Sequence, residues 1–151
     1  CLVNSDCEER IEALQLFYQK WQNDPLVMNL WLSVQAASKF TDLAEIKKLM
    51  DHPAFDYNNP NKLRALIATF CSANHINFHV STGEGYQFLA DQVLTLNHTN
   101  PQIAARILTP FTKWRRYDSR RQDQLKSQIE RILDSKDLSR NVFEIVSKTL
   151  A

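Results

Sequence analysis

Two histidines four residues apart are the first feature of the sequence that could bind a metal. His75 and His79 flank a three-residue segment that begins with Ile76. Zinc peptidases of the H-E-x-x-H type use this spacing on one helix face, with the Glu as general base. Here Ile76 stands where that Glu would be, a third ligand would also be needed, and residues 74–81 are predicted to lie between helices. We therefore interpret His75 and His79 as two unrelated histidines.

A basic segment, Lys113–Arg121, is the second candidate, with five basic and two aromatic residues in nine positions. Basic side chains can bind phosphates and aromatic rings can stack on bases, so RNA binding is one interpretation. In the simpler interpretation, the first three basic residues end one helix, where cations complement its dipole. Asp118 and Ser119 then cap the next helix, and Trp114 and Tyr117 pack inward. The simpler interpretation predicts no nucleic-acid partner.

Three polar side chains form the third candidate. Gln102 and Arg106 lie four residues apart, so they share one face of a predicted helix whose apolar residues lie on the opposite face. Arg64 lies in the first turns of an earlier predicted helix, beside its apolar stripe. If these helices stack as neighbours, the three side chains line one surface suited to a carboxylate or to peptide carbonyls. On spacing alone, ordinary solvated residues remain the simpler interpretation.

The elements that would position these residues are predicted to be helices. Apolar residues recur at helical spacing in eight stripes, which begin at Ile11, Val27, Leu43, Leu63, Tyr86, Ile103, Leu125 and Val142. The 151 residues include only 2 Gly, too few for the many tight turns of a β fold. The sequence therefore predicts an all-α fold of about eight short helices.

Helix starts indicate a repeat. Asp24, Asn59 and Asn100 each precede a Pro, a combination that favours an N-cap followed by the first helical residue. These starts are 35 and 41 residues apart, a period typical of stacked helical pairs. We expect a single domain over 1–151 built of antiparallel hairpins in a HEAT/armadillo-like superhelical solenoid, with an irregular bundle as the alternative. Capping boxes predict further helix starts at Ser5/Glu8, Ser81/Glu84 and Ser119/Gln122.

Composition limits the partners and the compartment. The net charge of +1 is too small to indicate nucleic acid or a membrane by itself, and no apolar run approaches the roughly 20 residues that cross a bilayer. Three cysteines without a C-x-x-C pattern favour a reducing compartment, so we expect a cytoplasmic location. Because residue 1 is Cys and not Met, we expect a piece of a longer polypeptide.

Segments along the whole chain, in order and in one register, resemble the C-terminus of bacterial aminopeptidase N, the alanyl-aminopeptidase type of gluzincin zinc exopeptidase. They are His52-Pro-Ala-Phe, the segment that begins Asn59-Pro-Asn-Lys-Leu-Arg, Asn100-Pro-Gln-Ile-Ala-Ala-Arg, residues 113–122 and residues 138–151. The segment Leu26-Val-Met-Asn-Leu-Trp fits the same family.

The resemblance implies that this chain is the end of the last, all-helical domain, which caps the catalytic cleft and closes an internal chamber. It assigns the zinc and the H-E-x-x-H motif to an upstream catalytic domain of the same polypeptide, so the chain itself has no catalytic residue, metal or cofactor and is inactive alone. The other partners are peptide substrates, with neither nucleic acid nor membrane.

The resemblance also implies site residues. The family's Asn-Pro-Gln-x-x-x-Arg element approaches the primed side of the substrate, which makes Gln102 and Arg106 chamber residues, and its Asn-Pro-Asn-x-x-Arg element adds Arg64. Two alternatives stay open: a free-standing helical-repeat scaffold that binds a partner protein, and RNA binding through Lys113–Arg121.

Overall fold

The structure is a computed structural model that describes residues 2–151; Cys1 lies outside the described residues. Every regular element in residues 2–151 is a helix, so the all-α prediction is confirmed. The α-helices are α1 (Glu8–Trp21), α2 (Pro25–Ala36), α3 (Leu43–Met50), α4 (Pro60–Leu63), α5 (Thr69–Ala73), α6 (His75–Phe78), α7 (Glu84–Thr99), α8 (Pro101–Ile107), α9 (Thr109–Thr112), α10 (Ser119–Leu133) and α11 (Arg140–Leu150). A π-helical turn, Arg64–Ala68, joins α4 to α5, and short 3-10 turns cover Leu2–Asn4 and Trp114–Arg116.

The chain divides into two compact units, the first ending at Asn77 and the second beginning at Phe78. Each unit buries its own set of apolar side chains. The single domain over 1–151 stays a prediction, and the units are described separately below.

In the first unit α2 is central, because α1, the π-helical turn and α5 all pack against it. Met28 and Leu32 of α2 are buried, as are Leu66 and Ile67 of the π-helical turn. The Ser33 hydroxyl adds a hydrogen bond to the carbonyl oxygen of Ala65, at 3.1 Å. The π-helical turn is therefore fixed by burial on one side and by α2 beside it.

A buried amide organises the loop that follows α2. The side-chain nitrogen of Asn74 lies 2.9, 2.8 and 2.9 Å from the carbonyl oxygens of Ala36, Ser38 and Thr41. These carbonyls end α2 and begin its loop, where a helix leaves acceptors without partners. Asn74 is 2% exposed, so its amide supplies donors that water cannot.

In the second unit α7 is central. It packs against α8 and α10, and α11 packs against the same two helices. Gly85, in the first turn of α7, passes so close to residue 78 that a Cβ there would overlap the carbonyl oxygen of Phe78. Near its other end, Asn97 donates to the carbonyl of Asp137 at 3.0 Å and accepts from the backbone N–H of Ser139 at 2.8 Å. That contact fixes the turn between α10 and α11.

The three Pro starts are confirmed, each with a side-chain cap. Asp24 accepts from Leu26 N, Asn59 from Asn61 N and Asn100 from Ile103 N, at 3.1, 3.0 and 3.2 Å.

The three capping boxes are wrong. α1 is preceded by Cys7 and α7 by Gly83, neither with a side-chain cap, and α10 is capped by Asp118 instead of Ser119. Gly83 has φ +78°, so the chain still turns after Ser81 and the helix begins beyond it.

Candidate functional site

The face of α8 that carries Gln102 and Arg106 is exposed, as the periodicity predicted. Ile103, Ala104 and Ile107 on the same helix are buried, since they pack toward α7 and α11. Asn100 caps α8 and fixes where its first turn begins. Within residues 2–151, no side-chain hydrogen bond or ion pair engages Gln102 or Arg106. Both side chains are therefore available to an external acceptor.

Arg64 opens the π-helical turn and is also exposed. It lines a shallow depression of about 380 Å³ formed with α2, whose other lining residues include Leu26, Asn29, Ser33 and Asn61. Its guanidinium lies 3.4 Å from the side-chain oxygen of Asn61, a long contact that leaves other donors free for a ligand. π-Helical turns are rare and are frequent at functional sites, which fits this placement.

Asn29 is a polar residue of this depression that sequence reasoning missed. Its side-chain oxygen is buried and has no hydrogen-bond partner among the described residues. A buried polar atom without a partner is costly, so an added donor at this point would be favourable. The available signal was the position of Asn29 between Leu26 and Leu30, where the stripe of α2 is otherwise apolar.

The three predicted side chains divide between the units. Gln102 and Arg106 lie four residues apart on α8 of the second unit, and Arg64 lies in the first unit. One surface that contains all three stays a prediction.

The two histidines lie at opposite ends of α6. His75 begins α6, a short helix in a segment predicted to be non-helical. His79 follows α6, and its Nδ1 lies 2.6 Å from the hydroxyl of Tyr86, a residue fully buried in α7. Burial raises the pKa of Tyr86 to about 12, so this hydroxyl stays protonated and can donate to His79. The His79 ring is therefore part of the packing around α7.

Residues 2–151 hold no group of three or more His, Cys, Asp or Glu side chains that could bind a metal ion. Cys7 and Cys71 are free thiols, and burial raises the pKa of the Cys71 thiol well above its usual range, which disfavours a thiolate ligand there. No helix in the described part of the chain is long and apolar enough to cross a membrane.

The basic segment bonds to its own unit. The Trp114 indole donates to the carbonyl of Thr149 at 3.0 Å, and Arg115 donates to that of Leu150 at 3.1 Å. Arg121 bonds both Asp118, at 2.8 Å, and the carbonyl of His79, at 3.1 and 3.2 Å. These contacts tie the turn before α10 to the end of α11 and to residue 79. They give Trp114, Arg115 and Arg121 structural partners, which is the kind of role that the simpler interpretation expected.

Comparisons with known proteins agree with this architecture. The family described as "Domain of unknown function (DUF3458_C) ARM repeats" matches residues 1–151. Aminopeptidase N of Haemophilus influenzae is 44% identical over 135 residues, which are 89% of this chain and 16% of that protein. Aminopeptidase N of Caulobacter vibrioides is 42% identical over 142 residues, 93% of this chain and 16% of that protein.

A solved aminopeptidase structure is also similar to this chain in its fold. Legionella pneumophila aminopeptidase A, in complex with aspartic acid, superposes with a TM-score of 0.90 at 39% identity, over 99% of this chain and 18% of that chain. This chain thus spans about a sixth of the length of the relatives it matches. The prediction of stacked helical repeats and the resemblance to aminopeptidase N are confirmed. The chain belongs to the DUF3458_C family of ARM repeats, and its homologues are parts of aminopeptidases.

Proposed function

We propose that this chain is the C-terminal helical domain of a cytoplasmic zinc aminopeptidase, an enzyme that releases N-terminal residues from peptides. In this proposal the domain caps the catalytic cleft and lines the substrate chamber, and it is inactive alone. The relatives named aminopeptidase N support the assignment, because they match nearly the whole of this chain.

The observation that carries the proposed role is the exposed, unpaired pair on α8. The amide of Gln102 and the guanidinium of Arg106 share one helix face and have no internal partner among residues 2–151. A guanidinium binds a carboxylate through two parallel hydrogen bonds, and an amide can donate to a peptide carbonyl. Such a pair suits the C-terminal side of a short peptide, where carbonyls and a terminal carboxylate are present.

The depression around Arg64 is the second element of the proposed chamber surface. It combines the Arg64 donors with the buried acceptor of Asn29, so it can pair with both the carbonyl and the N–H of a peptide unit. Donors fixed on helices hold a substrate in one orientation, which lowers the entropy lost on reaching the transition state.

The described residues, 2–151, do not fit a zinc site. No group of three candidate ligands occurs among residues 2–151, and His79 is engaged with Tyr86. Zinc requires three protein ligands in a catalytic site. We therefore assign the metal to a part of the parent polypeptide outside this chain and derive no catalytic step here.

The test is Arg106→Ala in the full-length enzyme, with kcat/KM measured for a tetrapeptide and for a single-residue aminoacyl anilide. If Arg106 binds the primed side, peptide turnover falls by about 10-fold or more, since a charged hydrogen bond contributes about 1.5–3 kcal/mol. Anilide turnover stays close to that of the unmodified enzyme.

Arg120→Ala is the matched control. Arg120 is an exposed arginine of α10, and its replacement by Ala removes the same charge from the same unit as Arg106→Ala does. It is expected to leave both substrates unaffected. Equal losses on both substrates for Arg106→Ala would refute the primed-side role. Turnover of the anilide by the 151-residue chain with added zinc would refute the claim that the metal is bound elsewhere.

A further inference from the structure

The side-chain oxygen of Asn29 lies buried in the wall of the depression at Arg64, and no donor of the described part of the chain reaches it. The hydroxyl groups nearby are engaged elsewhere. Ser33, one turn further along α2, donates its hydroxyl proton to the carbonyl oxygen of Ala65 at 3.1 Å. Thr69 donates its own to the carbonyl oxygen of Arg64, also at 3.1 Å. Because each hydroxyl has a single proton, the packing of the depression leaves the Asn29 oxygen unpaired.

An unpaired buried acceptor lowers the free energy of unfolding, and an apolar side chain of similar size would avoid that loss. Folded proteins contain few such groups, and exceptions to the rule are expected at functional sites. Helix α2 does not need an amide at this position, since Asn29 lies between Leu26 and Leu30 and Leu has the higher helix propensity. A donor supplied by a ligand accounts for the polar group.

Arg64 supplies the opposite half of the hydrogen-bonding pattern. Its side chain is exposed, and one guanidinium nitrogen lies 3.4 Å from the side-chain oxygen of Asn61. A guanidinium has five N–H donors, so others remain for a carbonyl oxygen of a ligand. The backbone behind Arg64 is fixed, because the π-helical turn packs against α2 and Ser33 bonds to Ala65. The depression therefore presents donors and one buried acceptor from walls that are already in place.

A ligand that satisfies both sides has an N–H group and a carbonyl oxygen close together, as a peptide amide does. A carboxylate has acceptors only, so it would bind Arg64 and leave the Asn29 oxygen unpaired beside a negative charge. An ester and the nitrogen of a proline residue also lack the N–H. The pattern in the depression therefore favours an unsubstituted backbone amide over these groups.

We propose that Asn29 is a specificity-determining residue for peptide substrates. Its buried oxygen accepts the N–H of one amide beyond the scissile bond, and Arg64 donates to a carbonyl oxygen of the same peptide. Peptides with proline or an ester at this place are rejected, because a site built around a substrate N–H is left with an unpaired polar group when that N–H is missing. This inference rests on the proposed function, because it takes the parent polypeptide to be the peptidase.

The first experiment is an ester scan of pentaalanine with the full-length enzyme. Three analogues carry an ester in place of the second, third or fourth amide, so the scissile amide, which is the first, is unchanged. Pentaalanine has no side-chain amide, so any effect belongs to the backbone. We expect kcat/KM for one analogue to be lower than that for pentaalanine by roughly 10-fold, since a hydrogen bond is lost and the Asn29 oxygen is left unpaired. Equal values for all four peptides would overturn the proposal.

Asn29→Leu distinguishes a direct contact from a general loss of activity. In this variant the same ester should change kcat/KM by less than roughly 2-fold, because the side chain no longer has an acceptor. Asn58→Leu is the matched control, since Asn58 is an exposed asparagine of the same unit that does not line the depression. It is expected to keep the full ester penalty. A penalty that persists in Asn29→Leu would show that other residues recognise this amide, and the proposal would be wrong.

The stability of the 151-residue chain tests whether Asn29 has a structural role instead. Asn29→Leu is expected to leave the urea midpoint unchanged or higher, because it removes a buried acceptor that has no partner. Asn97→Leu is the contrast, since the Asn97 amide bonds to Asp137 and Ser139, and it should lower the midpoint. If Asn29→Leu lowers the midpoint as much as Asn97→Leu does, the Asn29 amide serves the fold and the proposal fails.

Two further readouts separate the possible failures. Hydrolysis of an aminoacyl anilide by the unmodified enzyme tests the proposed function. Titration calorimetry with the full-length polypeptide, after a chelator has removed its metal, gives Kd for pentaalanine and for each ester without hydrolysis. An active enzyme that shows no ester penalty in kcat/KM refutes only the role of Asn29. An inactive polypeptide that binds one ester more weakly than pentaalanine, by a factor that Asn29→Leu abolishes, refutes only the aminopeptidase assignment.

Discussion

Helices α1 and α7 have the same kind of sequence but different surroundings. Each carries an apolar stripe at helical spacing, and each belongs to a different unit. Eight of the 16 residues of α7 are buried, among them Tyr86, Leu89 and Val93. Helix α1 has no buried residue, although Leu14, Phe17 and Tyr18 lie on one side of it.

The difference shows that periodicity gives the direction of an apolar face but not what covers it. The stripe of α7 is covered by α8 and α10 within its own unit. The stripe of α1 contacts α2, the turn Leu2–Asn4 and the ring of His52, and a groove lined by apolar side chains stays open between α1 and α2. The second unit therefore covers the stripe of α7 with its own helices, and the first unit leaves part of the stripe of α1 exposed.

The largest expected effect comes from a single methyl group added at Gly85, beside the backbone of Phe78. In Gly85→Ala the added Cβ overlaps the carbonyl oxygen of Phe78, and a backbone atom cannot move aside as a side chain can. We expect the free energy of unfolding to fall by more than the roughly 3 kcal/mol at the upper end of overpacking effects. Urea unfolding of the 151-residue chain measures it.

Gly83→Ala is the matched control two residues away. Gly83 has φ +78°, and its nearest neighbour is the flexible side chain of Gln124 at 3.3 Å. We expect Gly83→Ala to lower the free energy of unfolding by about 1–2 kcal/mol, because alanine is strained in the left-handed backbone conformation. If Gly85→Ala is no more destabilising than Gly83→Ala, the second unit is less tightly packed than we describe.

The next effect compares one leucine from each unit. Leu89 is fully buried in α7 and Leu30 is 64% exposed in α2. In the 151-residue chain we expect Leu89→Ala to lower the free energy of unfolding by about 3 kcal/mol, because it loses buried apolar area and leaves a cavity. Leu30→Ala is expected to lower it by less than about 0.5 kcal/mol. Calorimetry of both variants gives the difference. Similar costs at the two positions would mean that Leu30 is covered in this chain to the same degree as Leu89.

A third comparison uses the buried amide in each unit. Asn74→Asp replaces the donor that faces three carbonyl groups with an acceptor, and we expect a loss of about 3 kcal/mol. Asn97→Asp keeps the oxygen that accepts from Ser139 and places its second oxygen against one carbonyl, that of Asp137, where Asn74→Asp faces three, so a smaller loss of about 2 kcal/mol is expected. The order of the two values, measured by chemical unfolding, tests whether the first unit depends more strongly on its amide. The reverse order would show that it does not.

The sequence predicted the helices because their signals are local. Pro after Asp24, Asn59 or Asn100 fixes a helix start through one side-chain hydrogen bond, and all three starts are present. The capping boxes failed because S-x-x-[EQ] is satisfied by many sequences; α1 and α7 begin without a side-chain cap, and at α10 a competing residue determined the start. Asp118 is such a residue, since its carboxylate accepts from Arg121 N one position earlier than Ser119 would allow.

The candidate site was only partly predictable. The exposure of Gln102 and Arg106 followed from the spacing of Ile103 and Ile107, because a straight helix fixes which side faces the core. The depression at Arg64 could not be predicted from the spacing of apolar residues, because it depends on a π-helical turn and on the packing of α2 beside that turn. A change from i+4 to i+5 hydrogen bonding is a tertiary effect that apolar spacing does not encode.

The smallest expected effect is a pH dependence of the free energy of unfolding. It comes from His52 in the first unit, whose ring contacts both α1 and α2. The His52 imidazole lies 4.6 Å from the ring of Tyr18 and 5.0 Å from that of Trp31, measured between centroids. Burial lowers the pKa of His52, and its Nδ1 accepts the backbone N–H of Ala54 at 3.0 Å, which a protonated Nδ1 cannot do. The neutral ring is therefore part of the contact between α1 and the rest of the unit.

Because the folded pKa is lower than the unfolded value of about 6.5, the unfolded chain binds a proton first as the pH falls. The stabilisation is fully present above about pH 6.5 and is lost as the pH decreases through the folded pKa. Unfolding free energies of the chain at pH 7.5 and 5.5 should therefore differ, with the lower value at pH 5.5. His52→Phe keeps an aromatic ring between Tyr18 and Trp31 and cannot titrate, so it should reduce that difference. An unchanged difference in His52→Phe would show that the pH dependence comes from another group and would refute the role given to the neutral His52 ring.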